Sequence, residues 1–449
     1  MRIFQKLTNT IFIGVLLIGI NACTNSQDPN LLWLLSATQP NQSSPPPAGE
    51  QPFSIVINDE TAPVDFVFDT TKTVNVNIQV LSPESPISGS LVQIFNIDNT
   101  SQKSIFRAVT AENGEVKGSF TIDETTHKVL LKVQAFGQLY EAEIQIINAY
   151  SISRRITVVI KGNNVILPDT DGDGIIDRDD TYPNDPTRAS TFRYPAEGYY
   201  TISFEDLYPN QGDADFNDYN IRAIFEEDWN AKGEVARIRA NFIHVAKGAG
   251  YNHTLHLTIP QITASSYSLT RYGYDSSTIE YNSTGNNSTI SSLEILPRSN
   301  TTILSSNSSK TNTIFKKGKS ASLEVILQNA INRVTLGPAP YDTFIKVINT
   351  NQEIHFPKRY FDTNGKDRYL DSTGFPWALL VPGNFLWPYE STDIRKSYPS
   401  FKPWYESMGN TNHNWYLTPV PRKYFLHRTE FIFPGIFSWE FFFSFLSLR

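Results

Sequence analysis

Val74-Asn75-Val76-Asn77-Ile78-Gln79-Val80 alternates apolar and polar side chains without a break. Successive side chains of a β-strand point to opposite faces, so this run presents one wholly apolar face that another layer must cover. The same period recurs at Gly118-Ser119-Phe120-Thr121-Ile122, and Leu91-Val92-Gln93-Ile94 and Val129-Leu130-Leu131-Lys132-Val133 are β-prone runs of similar length. Glu112-Asn113-Gly114 is a turn signal between them. Short strands at this spacing predict a β-sandwich over residues 53–160. Farther on, strand patterns return at residues 200–204, 219–224, 292–296 and 322–327, while helical apolar periodicity is scarce. The chain reads as all-β.

Its 449 residues carry a net charge of -7, 13% aromatic side chains and one cysteine. That length predicts two or three domains with sizeable cores. The mild acidity, with no basic run long enough to track phosphates, excludes nucleic acid as a partner.

Arg2 and Lys6 precede an apolar run at residues 11–20 that is too short to stay in a bilayer as a spanning helix. Ile20-Asn21-Ala22-Cys23 follows and resembles the lipobox of bacterial lipoproteins; an ordinary cleaved signal with an incidental cysteine is the alternative. The resemblance implies removal of residues 1–22 and acylation of Cys23, palmitate included. It also implies a membrane anchor in the cell envelope, with Thr24 after the cysteine compatible with the outer membrane, in its inner leaflet or at the surface. Two or more acyl chains anchor stably, whereas one is marginal. Acylation leaves the mature chain without a thiol, so rigidity has to come from something other than disulfides. Residues 23–52, including PNQSSPPPAGEQP at 40–52, form a proline- and serine-rich tether. Residues 92–122 resemble the carboxypeptidase-regulatory or prealbumin-like sandwiches of bacterial surface proteins, which implies a spacer or a binding surface.

After the sandwich comes Asp169-Thr-Asp171-Gly-Asp173-Gly174-Ile175-Ile-Asp177-Arg-Asp179-Asp180. Counting Asp169 as position 1, carboxylates fall at 1, 3, 5, 9 and 12 and glycine at 6, the spacing of a calcium loop. A hard dication wants six to eight oxygens, and acidic residues at alternate positions converge on one point only if the chain turns sharply at the glycine. Ile175 would contribute its carbonyl and Asp177 a water-mediated contact. Asp180 replaces the usual glutamate, with shorter reach. Thr181-Tyr-Pro-Asn-Asp185-Pro186 cannot continue as a helix. Residues 165–187 therefore resemble a single loop of the thrombospondin type 3 repeats, in which the ion stiffens a junction.

A second acidic stretch runs through Phe204-Glu205-Asp206-Leu-Tyr-Pro209 and Gly212-Asp213-Ala-Asp215-Phe-Asn217-Asp218-Tyr219. Strand patterns on either side place Glu205 and Asp206 opposite Asp213, Asp215, Asn217 and Asp218 across a hairpin. Six oxygen-bearing side chains suit a second calcium ion, and they lack the His or Cys that zinc or copper favours. Two other readings fit the residues. Asp and Asn cap turns through their own backbone, and paired carboxylates are also what glycoside hydrolysis requires.

FEDLYP followed by GDADFNDYN resembles the signature of the LruC domain of secreted and lipid-anchored bacterial proteins. The likeness continues through Glu353-Ile-His355, Pro376-Trp377-Ala-Leu-Leu-Val381-Pro382, Tyr389-Glu390, Tyr398-Pro-Ser-Phe401 and Asn414-Trp415-Tyr416, and it assigns residues 192–420 to such a domain. It implies a calcium-associated extracytoplasmic lipoprotein and no enzyme. The partner would be an envelope component, a host protein or a glycan. Trp377, Trp387, Trp404, Tyr405, Trp415 and Tyr416 read as core anchors, with an exposed binding platform as the alternative. His244, His253, His256 and His355 show no paired metal spacing and read as packing or surface residues, and no Ser-His-Asp order is present. Asp362-Thr-Asn364-Gly365-Lys-Asp367 reads as a polar turn. Residues 421–449 form a hydrophobic tail outside the family pattern, divergent or frameshifted.

Overall fold

The strands stack into two pairs of sheets. In this computed structural model the described residues are 62–420, without 64–65, 84, 99–102, 159–166, 249, 310–316 and 384. The signal, Cys23, the tether and the 421–449 tail lie outside them. All described residues belong to one compact unit, Pro46–Arg449.

The first seven strands are β1 (Thr71–Leu81), β2 (Leu91–Asn96), β3 (Lys103–Val109), β4 (Glu115–Asp123), β5 (Lys128–Ala135), β6 (Gln138–Gln145) and β7 (Ser151–Thr157). They make a three-stranded sheet, β4-β1-β7, and a four-stranded sheet, β3-β2-β5-β6. β1 pairs antiparallel with β4 and parallel with β7. Val74, Val76, Ile78 and Val80 of β1 are buried, whereas Asn75 and Asn77 between them are exposed. The apolar face joins one core with Val92, Ile94, Phe106, Phe120, Val129, Leu131 and Val133. This is the sandwich that the period-two runs predict.

The remaining strands are β8 (Ser190–Tyr194), β9 (Tyr200–Phe204), β10 (Tyr219–Trp229), β11 (Glu234–Ala246), β12 (His253–Thr258), β13 (Ala264–Tyr272), β14 (Ile279–Ser288), β15 (Leu293–Leu296), β16 (Ser320–Asn332), β17 (Asp342–Val347), β18 (Gln352–Ile354) and β19 (Ala378–Pro382). Eight of them form one sheet in the order β14-β13-β16-β11-β10-β9-β19, with β8 also on β10. Four form a second sheet, β15-β12-β17-β18. Ile221, Ala223, Phe225, Ile238, Ala240 and Phe242 of the large sheet share a core with Leu255, Leu257, Ile345 and Val347 of the small one.

β10 is buried at every position, polar residues included. Its acidic side chains are therefore paired, Glu226 with Arg239 (3.1 Å), and Asp228 with Arg237 (2.5 Å) and Arg239 (2.8 Å), while Arg222 lies over the Tyr199 ring (4.4 Å). Glu227 meets Arg333 (2.8 Å) and accepts hydrogen bonds from Tyr341 (2.9 Å) and Trp229 (3.0 Å). A buried charge without such partners would be strongly destabilising.

Among the described residues the helices are short: α1 (Ser299–Thr302), α2 (Arg333–Leu336), α3 (Ile394–Ser397) and α4 (Phe401–Glu406), with a 3-10 turn at Trp415–Leu417. The last two helices and the 3-10 turn hold a second apolar cluster with Ile243, Val245, Leu379 and Val381. Its centre is aromatic. Trp415 lies 4.7 Å from Phe401 and 5.3 Å from Tyr398, both near-perpendicular. Trp387, Trp404, Tyr405, Trp415 and Tyr416 belong to this layer, and Trp377 is buried in the main core. The exposed-platform reading of these residues is thereby corrected: the rings are used up in packing. Ala62, Phe66 and Phe68, which the sequence places with the small sandwich, pack instead into this layer, with Phe66 4.9 Å from Trp404. Thr70 also donates to Leu380 O (2.8 Å), so the chain crosses from the aromatic layer straight into β1.

Candidate metal centres

The first candidate site is the 169–180 loop, wedged between the two sandwiches. Gly172 and Gly174 take positive φ, 77° and 101°, which lets the loop curl. The carboxylates organise its backbone. Asp169 accepts from the N–H groups of Gly172 (2.8 Å) and Gly174 (3.0 Å), Asp171 from Asp173 (3.2 Å), Asp173 from Ile175 (2.7 Å), and Asp180 from Tyr182 (2.6 Å). One oxygen of each of Asp171, Asp173 and Asp180 is nonetheless sealed from water without a hydrogen-bond partner. Oxygens of Asp169, Asp171 and Asp173 lie within 4.8 Å of one another. Burial first, then repulsion from Asp180, Asp171 and Asp169, lifts Asp173 to about 6, against the Ile175 N–H. Asp180 is raised as well, chiefly by burial. Orphan oxygens on Asp171, Asp173 and Asp180, the first two grouped within 4.8 Å of one another and of Asp169, fit a hard cation.

Asp177, expected to act through a water, is tied to Thr170. Both its oxygens accept from Thr170, at the backbone N–H (2.7 Å) and the hydroxyl (2.8 Å). It ties the loop ends together and does not join the three-carboxylate group.

Ile175 has a further role that its spacing does not reveal. It is 2% exposed and packs with Leu91 and Val109 of the small sandwich and with Ala189 and Ala231. Nearby, Arg107 donates to the carbonyl of Asp179, and Val109 N–H donates to Ala231 O (2.9 Å). The loop is therefore part of the joint between the sandwiches. Ile175→Ala is expected to cost about 2–5 kcal/mol, read as a lower denaturant midpoint.

The second candidate site is the 205–218 turn between β9 and β10, which pair with Phe204 opposite Tyr219. Oxygens of Glu205, Asp213 and Asp215 lie within 4.8 Å of one another. Glu205 accepts from Phe216 N–H (2.5 Å), and Asp215 from Asn217 N–H (3.0 Å) and Ser391 N–H (2.7 Å). Oε2 of Glu205 and Oδ1 of Asn217 are buried with no partner. A Cβ at position 212 would stand 2.1 Å from Glu205 Oε2, so Gly212 is what gives that oxygen its place. Ala214 and Phe216 hold positive φ, 56° and 50°, a conformation that costs an L-residue energy and that the surrounding contacts must impose.

Asp206 and Asp218 are placed differently from the other four. Asp218 accepts from Asp206 N–H (2.9 Å), and Asp206 faces His253 Nε2 (2.9 Å). His253 is thus in contact with the acidic cluster, against the reading of it as a packing or surface residue. Sequence spacing could not show this, since His253 comes from β12 in the other sheet. Burial, then mutual repulsion, holds Glu205, Asp215 and Asp218 well above the usual carboxylate range. Asp213 is raised too, mainly by burial.

The other three histidines noted above pack. His244 stacks on Tyr219 (4.1 Å), His256 on Phe344 (5.3 Å) and His355 on Phe344 (4.1 Å), the last also facing Asp342 (2.8 Å). Asp362 accepts from the N–H groups of Asn364 and Lys366, as a polar turn does.

Residues 233–416 match a family described as a domain of unknown function, DUF4842. Residues 72–156 match another, described as a domain of unknown function, DUF8469. Neither description names the LruC domain. A protein from Bacteroides ovatus, named as a candidate lipoprotein and known from a crystal structure, is similar over 74% of this chain and 98% of its own, at 16% identity and a TM-score of 0.43. No curated protein sequence matches.

Proposed function

We propose that this chain is a calcium-stabilised lipoprotein of the cell envelope with a structural, adhesive or ligand-binding role. Calcium would sit in the 169–180 loop and in the 205–218 turn. The observation that carries this reading is the set of buried carboxylate and amide oxygens without hydrogen-bond partners, converging at two places from all-oxygen donor sets. Clustered carboxylates repel one another unless a cation or protons neutralise them. The envelope assignment and the anchor at Cys23 rest on the lipobox resemblance, and the LruC assignment on FEDLYP and the motifs that follow it. No helix of the described residues is long and apolar enough to cross a membrane.

Hydrolysis of glycans is the less favoured reading. Glu205, Asp215 and Asp218 are 2%, 0% and 7% exposed and only Asp213 is half-buried, which leaves a sugar no approach to a pair of these carboxylates. The clefts beside Arg193 and beside Arg237, each about 710 Å³, are not lined by residues of the turn.

Calorimetric titration of calcium into the full chain in detergent tests the proposal. Two classes of site are expected, one lost in Asp171→Asn and the other in Glu205→Gln. Absence of calcium binding in the unsubstituted chain would overturn it.

A further inference from the structure

The 205–218 turn is incomplete as a cage. It offers Glu205, Asp213 and Asp215, while a calcium ion takes six to eight oxygens. Two further oxygens lie beside it, one on Asn217 of the turn itself and one on Glu390 from a distant segment. A Cβ built at Gly248 would lie 1.7 Å from Asn217 Oδ1 and 2.7 Å from Glu390 Oε2, so these two oxygens share the space that the glycine leaves. Asn217 is fully buried, its Nδ2 donates to Pro388 O (3.1 Å), and its Oδ1 has no hydrogen-bond partner. Glu390 is exposed as a residue, yet its carboxylate lies beside that oxygen. Desolvation and repulsion from Asp213 and Asp206 lift it to about 7.

The backbone holds the 388–394 segment on the turn. Ser391 N–H donates to Asp215 (2.7 Å) and Ile394 N–H to Ala214 O (2.8 Å), and Glu390 N–H donates to Ser308 O (2.9 Å) of a neighbouring loop. The segment leads directly into α3, α4 and the aromatic layer.

We propose that Glu390 and Asn217 complete the divalent-cation site of the 205–218 turn, so that the bound ion straps the aromatic layer to the large sheet. This rests on the calcium reading above and adds to it a ligand from a distant segment and a structural consequence. The ion then joins two parts of the chain that are about 180 residues apart in sequence, and its removal loosens one of them selectively.

The test uses the full chain in detergent, titrated with calcium alone, in an Asp171→Asn/Asp173→Asn background that silences the loop. Glu390→Gln is expected to weaken the remaining site roughly tenfold or more, since affinity follows the charge count of the ligands. Because Glu390 is exposed, its replacement should leave the far-ultraviolet circular dichroism unchanged. Hydrogen exchange across residues 394–417 is expected to be slow in calcium and fast in chelator for the background chain, and fast in both for Glu390→Gln. Gly248→Ala, which intrudes on both oxygens, should weaken the site in the same way. If Glu205→Gln abolishes the site but Glu390→Gln and Gly248→Ala leave its affinity and the exchange pattern intact, the strap is refuted and the calcium site stands. If no calcium binds in the background chain, both fall together.

Discussion

Moving the full chain from chelator into saturating calcium is expected to raise its melting temperature by about 10–20 °C. A site filled at a hundred times its dissociation constant adds about 2.7 kcal/mol to the folded state, so two sites add about 5 kcal/mol. Each kcal/mol shifts a domain of 150–250 residues by about 2–4 °C. Either site alone should give about half of the shift, so Asp171→Asn and Glu205→Gln should each remove part of it. Differential scanning calorimetry reads the effect directly. Identical melting in calcium and in chelator would mean that neither acidic cluster holds an ion in the folded state.

The pH dependence in chelator is expected to run opposite to that of most acid-sensitive proteins. Burial, with mutual repulsion added, lifts Glu205, Asp215 and Asp218 well above the ordinary carboxylate range, Asp173 to about 6 and Glu390 to about 7. The folded chain therefore keeps protons that the unfolded chain has released. Their contribution to stability is complete below the ordinary carboxylate pKa, about 4, and is lost as pH rises through the raised values. The denaturant midpoint without calcium should accordingly fall between about pH 5 and pH 8. Calcium displaces those protons, so its stabilising increment should grow over the same interval. A midpoint in chelator that climbs with pH would contradict this electrostatic account.

The fold class was legible because its main strands keep strict alternation: β1 is buried at Val74, Val76, Ile78 and Val80, as the bare sequence requires. β14 was not legible. Ile279–Ser288 is exposed or half-exposed throughout, so no apolar face marks it as a strand, and only pairing with β13 makes it one. The acidic positions of the 169–180 loop could be read off because their spacing is local. The surroundings of the second cluster could not, since His253 and Glu390 arrive from other elements and only the folded chain brings them near. Nor does a sequence mark Gly212 and Gly248 as places where a side chain would collide with carboxylate and amide oxygens. The short α3 and α4 escaped notice for a related reason: four and six residues are too few for a period of 3.6 to register.

The placement of Phe66 and Phe68 has a mechanical consequence. They lie just upstream of β1 yet are embedded beside Trp404, so a pull arriving from the amino-terminal side meets the larger lobe before it reaches the smaller one. The small sandwich is then a side branch off the load path, spared the strain that a link in series would bear.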